Sequence, residues 1–167
     1  IMHRYALRDT FPEAVLRETS RLHKDIPESE LARRDDWRNR CVITIDPATA
    51  RDYDDAICVT RKGNNWELAV HIADVSHYVT PGSPIDKEAY DRATSVYLVD
   101  RTVPMLPEKL CNLVCSLRPN EDKLCFSVVF EMTDKAEVKD YRIVKTVICS
   151  DRRFTYEEAQ EVIETEK

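Results

Sequence analysis

The sequence predicts an α+β fold in which a mixed, largely antiparallel sheet has helices packed against it. Short apolar runs rich in β-branched residues occupy the middle and the C-terminal half of the chain, and turn residues separate them. Helix-capping patterns lie between and outside these runs. Only two glycines occur among 167 residues, which excludes the glycine-rich loops that hold phosphates.

Three helices are predicted from the residues that begin them. Residues 10–13 (TFPE) place a Thr cap before Pro and Glu, which predicts a helix over residues 12–24. A Ser-Pro pair predicts a second helix over residues 84–94. Residues 155–158 (TYEE) form a capping box, which starts a C-terminal helix. A further helical turn is predicted over residues 108–114, after two prolines.

The strands are predicted from runs of β-branched and aromatic residues, and they span residues 42–46, 54–60, 66–73, 124–132 and 138–148. A Lys-Gly-Asn-Asn turn joins the second and third strands, and a Thr-Asp-Lys turn joins the last two. Both connections predict hairpins. A short extended piece is expected at residues 96–99.

The chain is divided here into a charged helical lead-in segment, residues 1–40, and a folded portion, residues 41–167. Apolar residues make up 43% of the sequence, enough for a core. No run of 18 apolar residues occurs, so a membrane is not an expected partner. Ile1 precedes Met2, from which we expect that residue 1 is not the native start of the protein.

The six cysteines form no C-x-x-C pair, and Cys111 with Cys115 lacks a second pair nearby, so a zinc site is not expected. Most of them lie in apolar runs, where free cysteine behaves as a small hydrophobe. Free cysteines are typical of a reducing compartment, and we expect a cytoplasmic protein. The net charge of −6 argues against a freestanding nucleic-acid binder.

The stretch TIDPATARDYDD concentrates four carboxylates, Asp46, Asp52, Asp54 and Asp55, between two apolar strands. Two carboxylates about 4 Å apart repel by about 1 kcal/mol in water and about 4 kcal/mol near a protein surface. Protonation or a divalent cation offsets such repulsion, and a solvated acidic loop is the alternative reading. Oxygen ligands suit Mg²⁺ or Mn²⁺, and paired ions of this kind hydrolyse phosphodiesters.

Four segments in this order carry a resemblance to a known family: TIDPATARDYDDAI, VHIADVSHYV, SVYLVDRTVPMLPEKL and CSLRPNEDKLCFSVVFEM. They closely resemble the RNB catalytic domain of the ribonuclease II and ribonuclease R family, and their wording is nearer to ribonuclease R. The match runs over residues 42–155. Residues 41–167 are therefore expected to be the N-terminal portion of an RNB domain, which is incomplete at its C-terminus.

The resemblance implies a processive 3′-to-5′ exoribonuclease that releases nucleoside 5′-monophosphates from single-stranded RNA with Mg²⁺, Mn²⁺ being possible. It implies that Asp46, Asp52, Asp54 and Asp55 are the catalytic and metal residues. It also implies that Tyr97 clamps the RNA. Bound metal would reverse the sign of the acidic patch locally. The resemblance also implies flanking and downstream parts of the enzyme, outside these 167 residues, that would supply much of the positive surface and so answer the charge objection. DNA is not an expected partner, and the full-length enzyme is expected to be monomeric.

The isolated 167 residues are expected to be inactive, because an incomplete channel cannot position a phosphodiester. The alternative is a non-catalytic structural or RNA-binding module. Among the other polar residues, His71 is expected in the core and His77 near RNA. A basic stretch interrupted by two aspartates is expected to be a solvated face; its members are Arg33, Arg34, Arg38 and Arg40.

Overall fold

The computed structural model describes residues 2–165, except the side chain of His3. Its α-helices are α1 (Glu13–Ser20), α2 (Glu28–Leu31), α3 (Val75–Tyr78), α4 (Pro84–Arg92) and α5 (Tyr156–Thr165). Its strands are β1 (Asp35–Asp36), β2 (Ile43–Asp46), β3 (Asp55–Lys62), β4 (Asn65–Ala73), β5 (Val96–Tyr97), β6 (Thr102–Val103), β7 (Asp122–Met132), β8 (Val138–Cys149) and β9 (Arg152–Thr155). A 3₁₀ turn at His3–Tyr5 and a π-helical segment at Lys109–Val114 complete the described elements. None of the described helices has both the length and the hydropathy needed to cross a bilayer.

The chain divides into two units, and each is described separately. One unit combines the N-terminal segment up to Lys24 with Val75–Val114, and the other combines Asp25–Asp74 with the segment from Cys115 onward. The second unit contains a seven-stranded sheet in the order β1-β8-β7-β4-β3-β2-β9. Its central pairs are antiparallel, and only the outer pairs β1–β8 and β2–β9 are parallel. The predicted α+β class with a largely antiparallel sheet is confirmed.

Both predicted hairpins are present. Lys62 faces Asn65 at the tip of the β3–β4 hairpin, and Gly63 takes the positive φ of 60° that the tight turn requires. The β7–β8 hairpin turns between Met132 and Val138. Four short elements were not predicted from the sequence, and each has two to four residues: β1, β6, β9 and α3.

One face of the sheet is closed by the segment that precedes β2. Small or polar side chains lie on this face, among them Ala56, Ala69 and Ser127, and all three are buried. Trp37 packs edge-on against His71, with ring centroids 5.2 Å apart. His71 is fully buried, as predicted, and its Nδ1 lies 2.7 Å from the Ser127 hydroxyl.

The opposite face of the same sheet is apolar and partly exposed. Cross-strand register places Ile57, Val70, Val128 and Ile143 in one row across four strands. The most exposed large apolar residues on this face are Val59, Ile72, Phe126, Tyr141 and Ile143.

The predicted solvated arginine face is wrong for Arg34. Its side chain is 0% exposed and contacts Glu30 and Asp74 at 2.8 and 2.7 Å. The same guanidinium donates to the carbonyl oxygen of Cys125 at 3.1 Å. A buried guanidinium is retained only where its donors are satisfied, and these partners satisfy them. Arg33, one residue earlier, has a side chain that is 76% exposed.

The other unit corrects the predicted start of the first helix. The N-cap of α1 is Pro12, with no side-chain cap, and the Thr10 carbonyl instead accepts from Arg92 at 2.6 Å. The helix ends at Ser20, four residues before its predicted end. The predicted cap at Ser83 is confirmed, because its hydroxyl accepts from the Asp86 amide at 3.3 Å.

Candidate metal site

The loop between β2 and β3, residues 47–54, connects the ends of two neighbouring strands. Asp46 is the last residue of β2 and Asp55 the first of β3. The two strands pair only at Ile43 and Ile57, so they separate toward the loop. The four predicted aspartates therefore lie along one connection at one end of the sheet. We call residues 46–55 the acidic loop.

The carboxylates of the acidic loop differ in exposure. Asp46 is 9% exposed, Asp52 is half-buried, and Asp54 and Asp55 are exposed. The Oδ2 atom of Asp46 is buried and has no hydrogen-bond partner among the described residues. A buried carboxylate oxygen without a partner is costly, and it indicates a position for a cation or an ordered water.

Burial and mutual repulsion raise the pKa of two of these groups. Burial is the main cause that raises the pKa of Asp46, and the negative charge of Asp55 adds to it. Partial burial also raises the pKa of Asp54, and the charges of Asp52, Asp55 and Asp46 raise it further. Because Asp54 reaches solvent, its repulsion from the others is screened. The carboxylates are thus close enough to disfavour one another's charge.

The backbone of the acidic loop is bonded to residues outside it. The Ser116 hydroxyl donates to the Arg51 carbonyl oxygen at 3.0 Å and accepts from the Tyr53 amide at 3.1 Å. The Leu117 amide donates to the Tyr53 carbonyl oxygen at 2.8 Å. Beyond Tyr53, the Ala73 amide donates to the Asp54 carbonyl oxygen at 2.9 Å. Each contact fixes main chain next to an aspartate.

Arg153 of β9 supplies positive charge to the acidic loop. Its Nη2 donates to the Pro47 carbonyl oxygen at 2.5 Å, and its guanidinium lies 5.6 Å from the centroid of the Tyr53 ring. The positive charge of Arg153 lowers the pKa of Asp46 and so partly opposes the effect of burial. Arg153 faces Thr44 in the β2–β9 pairing, which places it beside the start of the loop.

Sequence reasoning missed both Ser116 and Arg153. Ser116 lies 63 residues from Tyr53 along the chain, and Arg153 lies 106 residues from Pro47. A signal for Ser116 was present, because a lone hydroxyl within the apolar stretch LVCSL must find partners when buried. Arg153 carried no such signal, since it adjoins another arginine in a polar stretch.

The donors of the acidic loop suit a hard divalent cation in kind, because all four are carboxylates and one has a buried oxygen without a partner. Their arrangement is not closed. Within residues 2–165, no group of three or more His, Cys, Asp or Glu side chains is arranged to hold a metal ion. The structure therefore places the four aspartates on one loop but does not gather three of them into a ligand set.

Tyr97 belongs to the other unit. It lies in β5 opposite Thr102 of β6, and its side chain is 68% exposed. The turn beyond Tyr97 is closed by the Leu98 amide, which donates to the Arg101 carbonyl oxygen at 2.8 Å. The ring is thus presented on a short, hydrogen-bonded hairpin.

The fold and the acidic loop define a class: an α+β sheet domain with clustered carboxylates between two neighbouring strands. The chain belongs to the RNB domain family, because the model of that family matches residues 34–167. This assignment confirms the resemblance described above.

Two curated relatives and one solved structure illustrate the similarity. Ribonuclease R 1 of Lactococcus lactis is 48% identical over 154 residues, which cover 92% of this chain and 19% of the relative. DIS3-like exonuclease 2 of Xenopus tropicalis is also 48% identical, over 155 residues, with 92% of this chain and 19% of the relative covered. RNase R of Mycoplasma genitalium, solved in complex with ribose methylated single-stranded RNA, superposes with a TM-score of 0.92 at 31% identity. That match covers 99% of this chain and 26% of the RNase R chain.

The same Mycoplasma RNase R has also been solved in complex with double-stranded RNA. The present chain spans about a fifth of the length of the curated relatives it matches.

Proposed function

We propose that this chain carries the metal-binding residues of a processive 3′-to-5′ exoribonuclease that hydrolyses single-stranded RNA to nucleoside 5′-monophosphates. Asp46, Asp52, Asp54 and Asp55 act as the catalytic and metal-binding residues of the proposed enzyme. The observation that carries the proposal is the crowding of these carboxylates on one loop of an RNB domain, where burial and repulsion raise the pKa of Asp46 and Asp54.

Mg²⁺ is the proposed cofactor, with Mn²⁺ as an alternative; bound at the acidic loop, it would supply positive charge and a more acidic water for phosphodiester hydrolysis. The chain's own residues would hold the cation and orient the oxygens that bind it. Asp46 offers a buried oxygen without a partner, and Asp52, Asp54 and Asp55 offer oxygens at the surface of the loop. In the metal-free loop, the positive charge of Arg153 favours the ionised form of Asp46 and partly offsets its negative charge.

Tyr97 is proposed as the RNA-binding residue. Its exposed ring offers a flat apolar surface for the terminal base. Stacking of a base on an aromatic ring contributes about 1–3 kcal/mol and tolerates any base, as a non-specific nuclease requires. Substitution of Tyr97 by Ala is therefore expected to weaken RNA binding while leaving metal binding unchanged.

The remaining expectations concern the whole protein. Relatives with ribonuclease R and exonuclease names, and a structural neighbour solved with single- and double-stranded RNA, support RNA as the partner. A monomeric full-length enzyme, a cytoplasmic location and the absence of DNA and membrane partners stay predictions. The division into residues 1–40 and an incomplete RNB portion, residues 41–167, also stays a prediction.

A second candidate function is a non-catalytic structural or RNA-binding module. The arrangement of the acidic loop favours it for the isolated chain, because no three described carboxylates are gathered into a ligand set. On this reading the 167 residues bind a cation weakly or not at all and do not position a phosphodiester.

One experiment separates the two functions. The chain is incubated in single-turnover conditions with a 3′-hydroxyl single-stranded RNA and Mg²⁺ or Mn²⁺. Residual hydrolysis that is lost with EDTA and in Asp54→Asn supports the exoribonuclease. RNA binding without hydrolysis supports the module for this chain, and hydrolysis that persists in EDTA refutes the proposed metal chemistry. The control is Asp25→Asn, which neutralises an exposed aspartate outside the acidic loop.

A further inference from the structure

Ser116 is a fully buried residue outside the acidic loop, and its hydroxyl contacts the loop twice. The hydroxyl donates to the Arg51 carbonyl oxygen at 3.0 Å and accepts from the Tyr53 amide at 3.1 Å. These two groups belong to the residues on either side of Asp52. One hydroxyl offers one hydrogen and two lone pairs, so it satisfies both partners at once.

A third hydrogen bond strengthens the same contact. The amide of Leu117 donates to the Tyr53 carbonyl oxygen at 2.8 Å. Main chain on both sides of Asp52 is therefore tied to the segment 116–117, and this segment is 0% exposed at both residues. Replacement of Ser116 by Ala would leave a peptide N–H and a peptide C=O without their partner, and the loop would have to move to recover hydrogen bonds.

We propose that Ser116 is a positioning residue that sets the backbone of Asp52, and thereby the direction in which its carboxylate meets a divalent cation. The inference rests on the proposed function, since it assigns Ser116 to the same metal site. Ser116 does not contact the cation; it acts through Asp52. Replacement of a residue that orients a metal ligand without contacting the metal typically lowers metal affinity by about 10–100-fold.

A buried serine can also be merely structural, and the chain offers a matched control. Ser127 is likewise 0% exposed and belongs to the same unit. Its hydroxyl makes two hydrogen bonds of 2.7 Å, to His71 Nδ1 and to the Thr146 hydroxyl. Both Ser116→Ala and Ser127→Ala remove a buried hydroxyl with two partners, but only Ser116 bonds to the acidic loop.

The experiment measures Mn²⁺ binding to the 167-residue chain by EPR, together with unfolding by denaturant. We expect Ser116→Ala to weaken Mn²⁺ binding by about tenfold or more, and Ser127→Ala to leave it unchanged at a comparable loss of stability. In the Asp52→Asn background, Ser116→Ala should cause no further loss, because the effect passes through Asp52. Equal Mn²⁺ affinity in wild type and Ser116→Ala would overturn the proposal.

Failure of the proposed function gives a different result. If wild type and Asp52→Asn bind Mn²⁺ equally, the metal site is absent and the proposal for Ser116 falls with it. If Asp52→Asn binds more weakly but Ser116→Ala does not, only the role of Ser116 is overturned.

Amide hydrogen exchange in the wild-type chain provides a test that does not depend on the folding of any variant. The Tyr53 amide donates to the buried Ser116 hydroxyl, so it should exchange slowly in the metal-free chain. Exchange of this amide at the rate of an unprotected peptide would show that Ser116 does not hold the loop, and it would overturn the inference.

Discussion

Asp54 shows, at the scale of one residue, that the crowded charges of the acidic loop cost the folded chain stability. Partial burial and the charges of three neighbouring aspartates raise the pKa of Asp54. For a carboxyl group, a raised pKa means that ionisation costs the folded chain more than the unfolded chain. At neutral pH the ionised group therefore opposes folding unless a cation is bound.

The Asp54→Asn variant tests this cost. In the absence of divalent cations it should be more stable than wild type and unfold at a higher denaturant concentration. The gain in the free energy of unfolding should not exceed about 1 kcal/mol, because solvent screens the exposed charge of Asp54. The same variant should gain less stability from Mg²⁺ or Mn²⁺. Asp25→Asn should change neither quantity, and a metal-free Asp54→Asn that is less stable than wild type would contradict the repulsion account.

His71 provides a second prediction for a single residue. Burial lowers the pKa of His71 to about 4, below its usual value of 6.5. Between these values the unfolded chain takes up a proton that the folded chain does not, so stability falls as the pH falls from about 6.5 to about 4. The contribution of this one group approaches about 3 kcal/mol over that range.

Urea unfolding as a function of pH measures the His71 contribution. The free energy of unfolding of His71→Asn should fall less steeply than that of wild type as the pH is lowered from about 6.5 to about 4. His23→Asn, which replaces an exposed histidine, should keep the wild-type slope. An unchanged slope in His71→Asn would show that this histidine is not the group that resists protonation.

At the scale of the element, α2 and the residues after it are secured by one buried arginine. Arg34 joins Glu30 of α2 to Asp74, which directly follows β4. Asp74 is 2% exposed, and its amide donates to the Leu124 carbonyl oxygen at 2.9 Å. This network closes one face of the sheet close to Ala73, whose amide holds the backbone of Asp54.

Arg34→Ala should cost on the order of 3 kcal/mol, because it breaks two buried ion pairs at once and leaves Glu30 and Asp74 only the partly exposed partners Arg33 and Lys145. Arg33→Ala removes a side chain that is 76% exposed and pairs with the same Glu30, and it should cost less, about 0–1 kcal/mol. Chemical denaturation of both variants makes the comparison. Equally small losses of unfolding free energy in Arg34→Ala and Arg33→Ala would show that the buried ion pairs of Arg34 do not stabilise the fold.

Elements with a local signal were predictable from the sequence. The hairpins follow from alternating apolar runs around turn residues, and the capping box of α5 is present as predicted, with the Glu158 amide 3.1 Å from the Thr155 hydroxyl. The short strand β9 escaped prediction because two of its four residues are arginines. Its pairing with β2 depends on residues more than 100 positions apart, which no local pattern encodes.

At the scale of the whole molecule, the sequence located the acidic loop but not what holds it. The four aspartates are adjacent in sequence, so their common loop was predictable. Ser116 and Arg153 reach the loop only through the tertiary fold, and the burial of Arg34 likewise depends on distant strands. The identity of the four residues does not determine whether their carboxylates converge on one ion. Among the described residues, no three such side chains converge in this way.

Diffraction from crystals soaked in Mn²⁺ can decide our claim that the acidic loop binds a divalent cation. We expect anomalous difference density between Asp46 and Asp55, with the Oδ2 atom of Asp46 turned toward it. An ordered loop without anomalous density at millimolar Mn²⁺ would contradict the claim.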